Sequence, residues 1–197
     1  GVEKETVALS IGDEKSQDVL RTSMAMGIDR SILVKTSNSL EPLAVAKTLS
    51  KIIEKENPDL VLMGKQAIDD DSNQTGQILS ALLDWPQACF ISDLKIEGNK
   101  LSISREIDEG IEKIKTSLPA VITCDLRLNT PRFASLPNIM KAKKKPLDII
   151  DISSLGIDTD PKIKIIKVEE PPKRKAGIMV NDVKELVEKL KYEAKVI

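Results

Sequence analysis

The sequence predicts an α/β protein: a doubly wound, mostly parallel sheet with added antiparallel strands and a C-terminal helical arm. Short apolar runs alternate with helical patterns in the first half, period-two segments follow in the second half, and a Pro-Pro linker precedes the last helix. Strands that alternate with helices form parallel sheets, whereas period-two segments joined by tight turns form hairpins.

Strands and helices alternate in the first half. Apolar runs predict strands at 6–10, 31–34 and 60–63, and helical spacing predicts helices at 17–26, 42–56 and 77–83. Pro42 stands in the first turn of the second helix, and Asn57-Pro58 ends it. The strand at 60–63 is apolar throughout, as expected when helices cover both faces of a parallel sheet.

The second half adds antiparallel strands. The pattern predicts a hairpin at 93–105, strands at 110–115 and 120–124, a short helix at 137–144, strand-like segments at 149–150 and 163–168, and a last helix at 181–193. We place an α/β domain at 1–168 and an arm at 169–197, with Asn181 as N-cap of its helix. The apolar stripe of this helix fits either core packing or docking on another subunit; it consists of Val183, Leu186, Val187 and Leu190.

Composition excludes several functions. The chain has 197 residues, 41% of them hydrophobic, and a formal charge of −1, which argues against a general nucleic-acid or membrane-surface binder. Because histidine is absent, no Ser-His-Asp triad or His-liganded metal can form within the chain. Cys89 and Cys124 lie in apolar runs, as buried thiols of a reducing compartment do. No run approaches the ~20 apolar residues of a membrane span. We expect a soluble, intracellular protein.

The segment from Gly64 to Gln77 is the strongest candidate site. It lies between an apolar strand and a helix, so it places free N–H groups and the positive end of a helix dipole where open α/β sheets bind ligands. Thr75-Gly76 would bring N–H groups close to a phosphate. The acidic triplet 69–71 suits ribose hydroxyls, a helix cap or a metal better. The alternative is a plain polar connection capped by Asp71 or Ser72.

A second segment, at 124–146, resists a purely structural explanation. Two prolines make it rigid, and an exposed Leu136 on it is a candidate docking anchor. The alternative is a loop packed on its own domain. The basic cluster at 141–145 is either a solvated helix end favoured by the helix dipole or a surface that steers an acidic partner.

Several motifs stand in a characteristic order along the chain. They are Gly64 to Gln77, Asp84-Trp85-Pro86-Gln87, Arg105-Glu106-Ile107-Asp108, Leu118-Pro119-Ala120-Val121, Asp125 to Asn129 and Leu136 to Lys145. From Thr6 to the C-terminus, the chain resembles the beta subunit of electron-transfer flavoprotein.

The resemblance implies a fold of the adenine-nucleotide-binding type, a structural AMP, and a heterodimer with an alpha subunit that holds most of the FAD. Such a heterodimer takes electrons from acyl-CoA and related dehydrogenases of fatty acid β-oxidation and passes them to a membrane quinone reductase. It implies an electron carrier subunit without catalytic residues or a metal. The expected location is a mitochondrial matrix or a bacterial cytoplasm, with no nucleic acid bound and no direct membrane insertion.

The resemblance also assigns AMP contacts, with the phosphate near 73–75. They are Ile11, Gly64, Lys65, Gln66, Ala67, Ile68, Asp69, Asp70, Asp71, Ser72, Asn73, Gln74 and Thr75. Relatives that bifurcate electrons hold a second FAD in place of AMP and have Gly at the position of Asp70, so Asp70 favours AMP. Family members carry a longer N-terminal segment with the first strand, so we expect a central strand and part of the AMP pocket to lie outside this sequence.

Partner contacts follow by position as well. The resemblance assigns them to Leu136, which enters a pocket on the dehydrogenase, and to Pro137, Ile139, Met140, Lys141, Lys144 and Glu106. Glu106 would lie near the mobile flavin domain, and methylation of Lys141 and Lys144, known in some members, would weaken charge-specific contacts. The alternative function is a stand-alone adenine-nucleotide-binding module of the stress-protein type, whose Gly-rich phosphate loop is not found in this sequence.

Overall fold

The computed structural model describes residues 4–174 and 176–197, in one unit that ends at Lys162 and a second unit, Ile163–Ile197. The strands of the first unit are β1 (Val7–Gly12), β2 (Arg30–Lys35), β3 (Leu60–Gly64), β4 (Gln87–Glu97), β5 (Lys100–Ile107), β6 (Gly110–Ser117), β7 (Ala120–Cys124) and β8 (Leu147–Asp151). Its helices are α1 (Ser16–Ala25), α2 (Pro42–Glu56), α3 (Thr75–Leu83), α4 (Leu136–Ala142) and a 3-10 turn at Ile152–Leu155. The second unit contains α5 (Val183–Glu188), which continues as a π-helix at Lys189–Ala194.

The strands form two sheets. One sheet has the order β1-β2-β8, and both of its pairs are parallel. The other has the order β3-β7-β4-β5-β6, in which β7 pairs in parallel with β3 and β4, and β4, β5 and β6 form an antiparallel meander. The predicted fold class, an α/β protein with added antiparallel strands, is confirmed. The single sheet that was expected is divided, because no strand among the described residues hydrogen-bonds to both β1 and β3.

Helix α2 packs against both sheets. Its Ile52 belongs to a core cluster with residues of β2, and its Ile53 belongs to another with residues of α3 and β7. A hydrogen bond also connects the amino ends of β1 and β3, which are edge strands of the two sheets: Nζ of Lys4 donates to Oδ2 of Asp59 at 2.6 Å. The two sheets therefore share one covering helix in the first unit.

Helix α3 approaches β7 closely at Gly76. A Cβ added there would lie 2.5 Å from Cγ2 of Thr123, closer than packed atoms allow. Thr123 is buried, and its Oγ1 accepts the amide of Phe90 at 3.1 Å, which fixes its rotamer. Phe90 has a positive φ of 61° within the irregular stretch of β4 between Ala88 and Ile91. Glycine at position 76 thus brings the first turn of α3 against the carboxyl end of β7.

Two predictions for the second unit were wrong. The segment at 163–168 forms no strand. It pairs with no sheet in the described structure, and its isoleucines are therefore exposed. The last helix begins after Asp182, whose carboxylate accepts the amide of Glu185 at 2.8 Å, whereas Asn181 donates to the Glu185 side chain instead. The prediction placed the start of the arm at residue 169, and the division of the chain into compact units falls at Lys162.

Replacing Gly76 with Ala should lower the free energy of unfolding by roughly 1–3 kcal/mol, because the new methyl group must displace either Thr123 or the first turn of α3. Denaturant titration of the purified protein measures this loss. Gly64→Ala is the matched control, since a Cβ at Gly64 meets no atom within 4 Å. An equal loss at both positions would contradict the close contact.

Candidate functional site

The loop between β3 and α3 leaves the sheet at the carboxyl edge of its parallel strands. Its first residue stays paired with β7, because the Lys65 amide donates to the Cys124 carbonyl at 3.1 Å. Two non-glycine residues of the loop, Asp71 and Asn73, have positive φ angles of 55° and 50°. Successive turns of this kind aim backbone N–H groups into a concave surface. The loop from Gly64 to Thr75 therefore begins at this edge of the sheet and contains two such turns.

The first turn of α3 has no protein cap. Its N-cap residue, Gln74, makes no side-chain capping bond, and no acidic residue stands in the first turn. The alternative interpretation of the loop required Asp71 or Ser72 to cap the helix, and neither residue does so. The first N–H groups of α3 and the positive end of its dipole are thus available to an anion.

An unpaired acceptor lies beside this helix end. Nε2 of Gln77 donates to Oδ1 of Asn73 at 3.0 Å, while Oε1 of Gln77 is buried and has no hydrogen-bond partner among the described atoms. A buried acceptor without a partner costs stability until a donor reaches it. The site therefore offers donors to an anion and an acceptor to a hydroxyl or amino group.

The acidic triplet is turned onto its own loop. Oδ1 of Asp69 accepts the amide of Asp70 at 2.9 Å, and Oδ1 of Asp70 accepts the amide of Ser72 at 3.1 Å. The Asp71 carboxylate accepts from Nε2 of Gln66. Two of the three carboxylates thus accept backbone amides of the loop, and the third accepts a loop side chain. The described part of the chain contains no group of residues able to hold a metal ion.

Asp125, the residue after β7, connects this loop to the segment at 124–146. Its side chain is nearly inaccessible, and Oδ2 accepts from Nζ of Lys65 at 2.6 Å. Oδ1 accepts two hydrogen bonds from Arg127, one from Nε and one from the backbone amide, each at 3.0 Å. Arg127 also donates through Nη1 to the carboxylate of Glu106 at the end of β5. Asp125 and Arg127 together thus connect three segments that are distant in sequence.

The surroundings of Asp125 favour its charged form. The hydrogen bond from Lys65, followed by those from Arg127, holds the pKa of Asp125 well below its usual range. From its sequence motif, Asp125 to Asn129, Asp125 was not predicted to belong to the site. The signal that would have found it is a carboxylate placed directly at the carboxyl end of an apolar strand.

Apolar side chains of the segment at 124–146 face solvent. Leu136, the first residue of α4, is 72% exposed, and Phe133 is 98% exposed. Ile139 and Met140 are exposed on the same short helix. The alternative that this segment packs its apolar side chains on its own domain does not hold for these residues.

The basic cluster divides between two roles. Nζ of Lys145 donates to the carbonyls of Met24 and Ile28 at 3.1 and 2.5 Å, near the carboxyl end of α1. Conversely, Arg21 of α1 donates through Nη1 to the carbonyls of Ala142 and Lys145, at the end of α4, at 2.8 and 2.7 Å. These cations satisfy the ends of the two helices. The exposed lysines of the cluster are Lys141, Lys143 and Lys144.

Other predicted residues lie elsewhere in the first unit. Ile11 is half-buried in β1, packed against the cluster that includes Ile32 and Val34, and so belongs to the other sheet. Cys89 is buried and Cys124 half-buried, both as free thiols, and burial raises the pKa of Cys124. Burial therefore favours the protonated form of the Cys124 thiol.

The fold and this edge define an α/β protein that presents a helix N-terminus at the carboxyl ends of parallel strands. The sequence profile of the Electron transfer flavoprotein domain matches residues 2–155. The chain is 53% identical over 197 residues to the electron transfer flavoprotein subunit beta of Bradyrhizobium diazoefficiens, covering 100% of this chain and 79% of the relative. It is 52% identical over 199 residues to the mitochondrial subunit beta of Arabidopsis thaliana, with the same coverage. It is 53% identical over 192 residues to the human subunit beta, covering 95% of this chain and 75% of the relative. The chain belongs to the family of electron transfer flavoprotein beta subunits.

Replacing Asp125 with Asn should lower the free energy of unfolding near neutral pH, because Lys65 and Arg127 lose a charged partner. A carboxylate whose pKa is lowered by folding stabilises the protein above its unfolded pKa, and this stabilisation is lost as the pH falls towards the folded pKa. The difference between parent and variant should therefore be largest near pH 7 and shrink below about pH 4. Denaturant titrations across this pH range measure it, and a difference that does not vary with pH would contradict the ion pairs.

Proposed function

We propose that this beta subunit binds one AMP as a structural ligand and forms a heterodimer with an alpha subunit that holds most of the FAD. Through its exposed segment the heterodimer docks acyl-CoA-type dehydrogenases of fatty acid β-oxidation, and it delivers their electrons to a quinone reductase. The observation that carries the proposal is the uncapped N-terminus of α3 at the carboxyl edge of β3 and β7, in a chain of this family.

The residues present fit a nucleoside monophosphate. The N–H groups of the first turn of α3 suit a phosphate, and the unpaired Oε1 of Gln77 suits a donor on the nucleotide. Each carboxylate of the acidic triplet accepts a hydrogen bond from its own loop, and the negative charge of the triplet favours a ligand with a single phosphate group over one with several. We assign the remaining contacts to the loop from Gly64 to Thr75 and to Ile11. AMP bound here would stabilise the folded state by mass action.

The docking surface consists of the exposed end of the segment at 124–146. Leu136 is the anchor that we propose enters an apolar pocket on the dehydrogenase, flanked by Pro137, Ile139 and Met140. Lys141 and Lys144 lie on the same exposed helix end, where they would attract an acidic partner until methylation weakens their specific contacts. Glu106, which Arg127 holds, would face the mobile flavin domain.

The second unit supplies a surface for the alpha subunit. Helix α5 buries none of its residues, and Val183, Leu186 and Val187 are exposed on it. Exposed apolar side chains that share one face of a helix are typical of a protein–protein contact. Of the two interpretations of the apolar stripe, we therefore favour docking on another subunit.

The subunit contributes binding and orientation to electron transfer. The redox chemistry belongs to FAD when it is bound, and we assign no acid–base step to this chain. A mitochondrial matrix or a bacterial cytoplasm is the proposed location, since relatives include a plant mitochondrial protein and a bacterial one. No helix of the described residues has the length and apolarity to span a bilayer. Family membership gives no support to a stand-alone nucleotide-binding module.

Mass spectrometry of released nucleotides tests the ligand. The chain, extended to the length of its relatives, is co-expressed with an alpha subunit, purified and denatured, and we expect one AMP and one FAD per heterodimer. Two FAD would contradict the inference from Asp70. ATP, in the absence of any stable partner, would favour the stand-alone module.

Substitution of Leu136 with Ala tests the docking surface. It should lower kcat/KM for electron acceptance from a dehydrogenase by about tenfold or more, because a buried anchor residue of an interface is lost. AMP content and heterodimer formation should not change. Leu43→Ala is the matched control, since Leu43 is also exposed in the first turn of a proline-started helix. Loss of AMP in Leu136→Ala would instead show that this segment supports the fold.

A further inference from the structure

We propose that Asp125 determines the nucleotide specificity of this site: by binding the ammonium group of Lys65, it withholds that cation from the nucleotide and restricts the site to a monophosphate. The inference rests on the proposed AMP site. Lys65 belongs to the loop assigned to the nucleotide, yet its Nζ lies 2.6 Å from Oδ2 of Asp125. Because its ammonium group is bound by Asp125, Lys65 would contact the nucleotide through its backbone.

The topology places Lys65 and Asp125 near the N-terminus of α3, where we propose that the phosphate binds. β3 and β7 are parallel, and their last residues, Gly64 and Cys124, pair in register, so Lys65 and Asp125 leave neighbouring strands at the same edge. The first turn of α3 stands over the end of these strands. A Cβ at Gly76 would lie 2.5 Å from Thr123 and 3.8 Å from Sδ of Met63. A long, flexible lysine side chain released from Asp125 would therefore reach the N-terminus of α3.

The local charge disfavours a second phosphate. The helix end supplies about half a positive charge, which suits a single phosphate group. The loop carries three carboxylates, and the cations Lys65 and Arg127 are already paired with Asp125 and Glu106. P-loop sites, which hold di- and triphosphates, direct a lysine at the outer phosphates. Here the corresponding cation is bound by a nearly inaccessible carboxylate, so ADP and ATP bring negative charge without a partner.

A competition experiment tests the inference. The heterodimer with the alpha subunit is refolded with FAD and equal concentrations of AMP and ADP. The retained nucleotides are then quantified by mass spectrometry. Asp125→Asn cannot hold the ammonium as a charged partner, and the retained ratio of ADP to AMP should rise about tenfold, as expected for one charge-assisted hydrogen bond. Asp125→Asn combined with Lys65→Met should return the ratio to that of the parent, because the released cation is gone.

The matched control is Asp158→Asn, which removes a carboxylate that pairs with Lys162 at 2.9 Å and should leave the ratio unchanged. An unchanged ratio in Asp125→Asn, or a raised ratio that persists in the double variant, would overturn the inference. If Asp125→Asn does not assemble, Lys65→Met is measured instead: Asp125 keeps only Arg127, so the site becomes more negative and the retained ratio of ADP to AMP should fall. A loss of AMP in that variant would place the ammonium on the phosphate.

The outcomes separate this inference from the proposed function. A parent heterodimer that retains neither AMP nor ADP contradicts the AMP site, and the inference with it. A parent that retains AMP, alongside an Asp125→Asn variant with the parent ratio, contradicts only the role of Asp125.

Discussion

The carboxyl edge of β3 and β7 is organised around the nearly inaccessible carboxylate of Asp125. Both of its oxygens accept charged donors, Lys65 from one strand end and Arg127 from the segment that follows β7. Only Asp125 is buried in these ion pairs, since the side chains of Lys65 and Arg127 are 33% and 55% exposed, so losing one partner costs more than breaking a fully exposed pair and less than breaking a fully buried one. Through Arg127 the same network reaches Glu106 at the end of β5. The start of the loop, the start of the exposed segment and the end of a hairpin are thereby held together.

This arrangement divides the binding tasks between backbone and side chains. The uncapped turn of α3 offers backbone N–H groups, while the charged side chains near it are engaged with one another or with their own loop. The apolar side chains that face solvent lie elsewhere, on α4 and on α5. We propose that the sheet edge of the first unit binds the ligand and that these helices contact partner proteins.

The sequence predicted those parts of the fold that local signals specify. Helix α2 was predicted to the residue, because Pro42 starts it and Asn57-Pro58 ends it. The loop from Gly64 was predicted from the apolar strand before it and the helical spacing after it, and the structure has the same order of strand, loop and helix. Periodicity does not report what covers an apolar face, and for this reason the segment at 163–168 was mistaken for a strand. The contact of Lys65 with Asp125 spans 60 residues and depends on the parallel register of β3 and β7, which no local pattern encodes.

The most direct test of the account is the crystal structure of the heterodimer with its nucleotide bound. We predict a phosphate within hydrogen-bonding distance of the first backbone amides of α3, with Nζ of Lys65 still on Asp125. A phosphate bound by Nζ of Lys65, or one located away from the N-terminus of α3, would contradict the account.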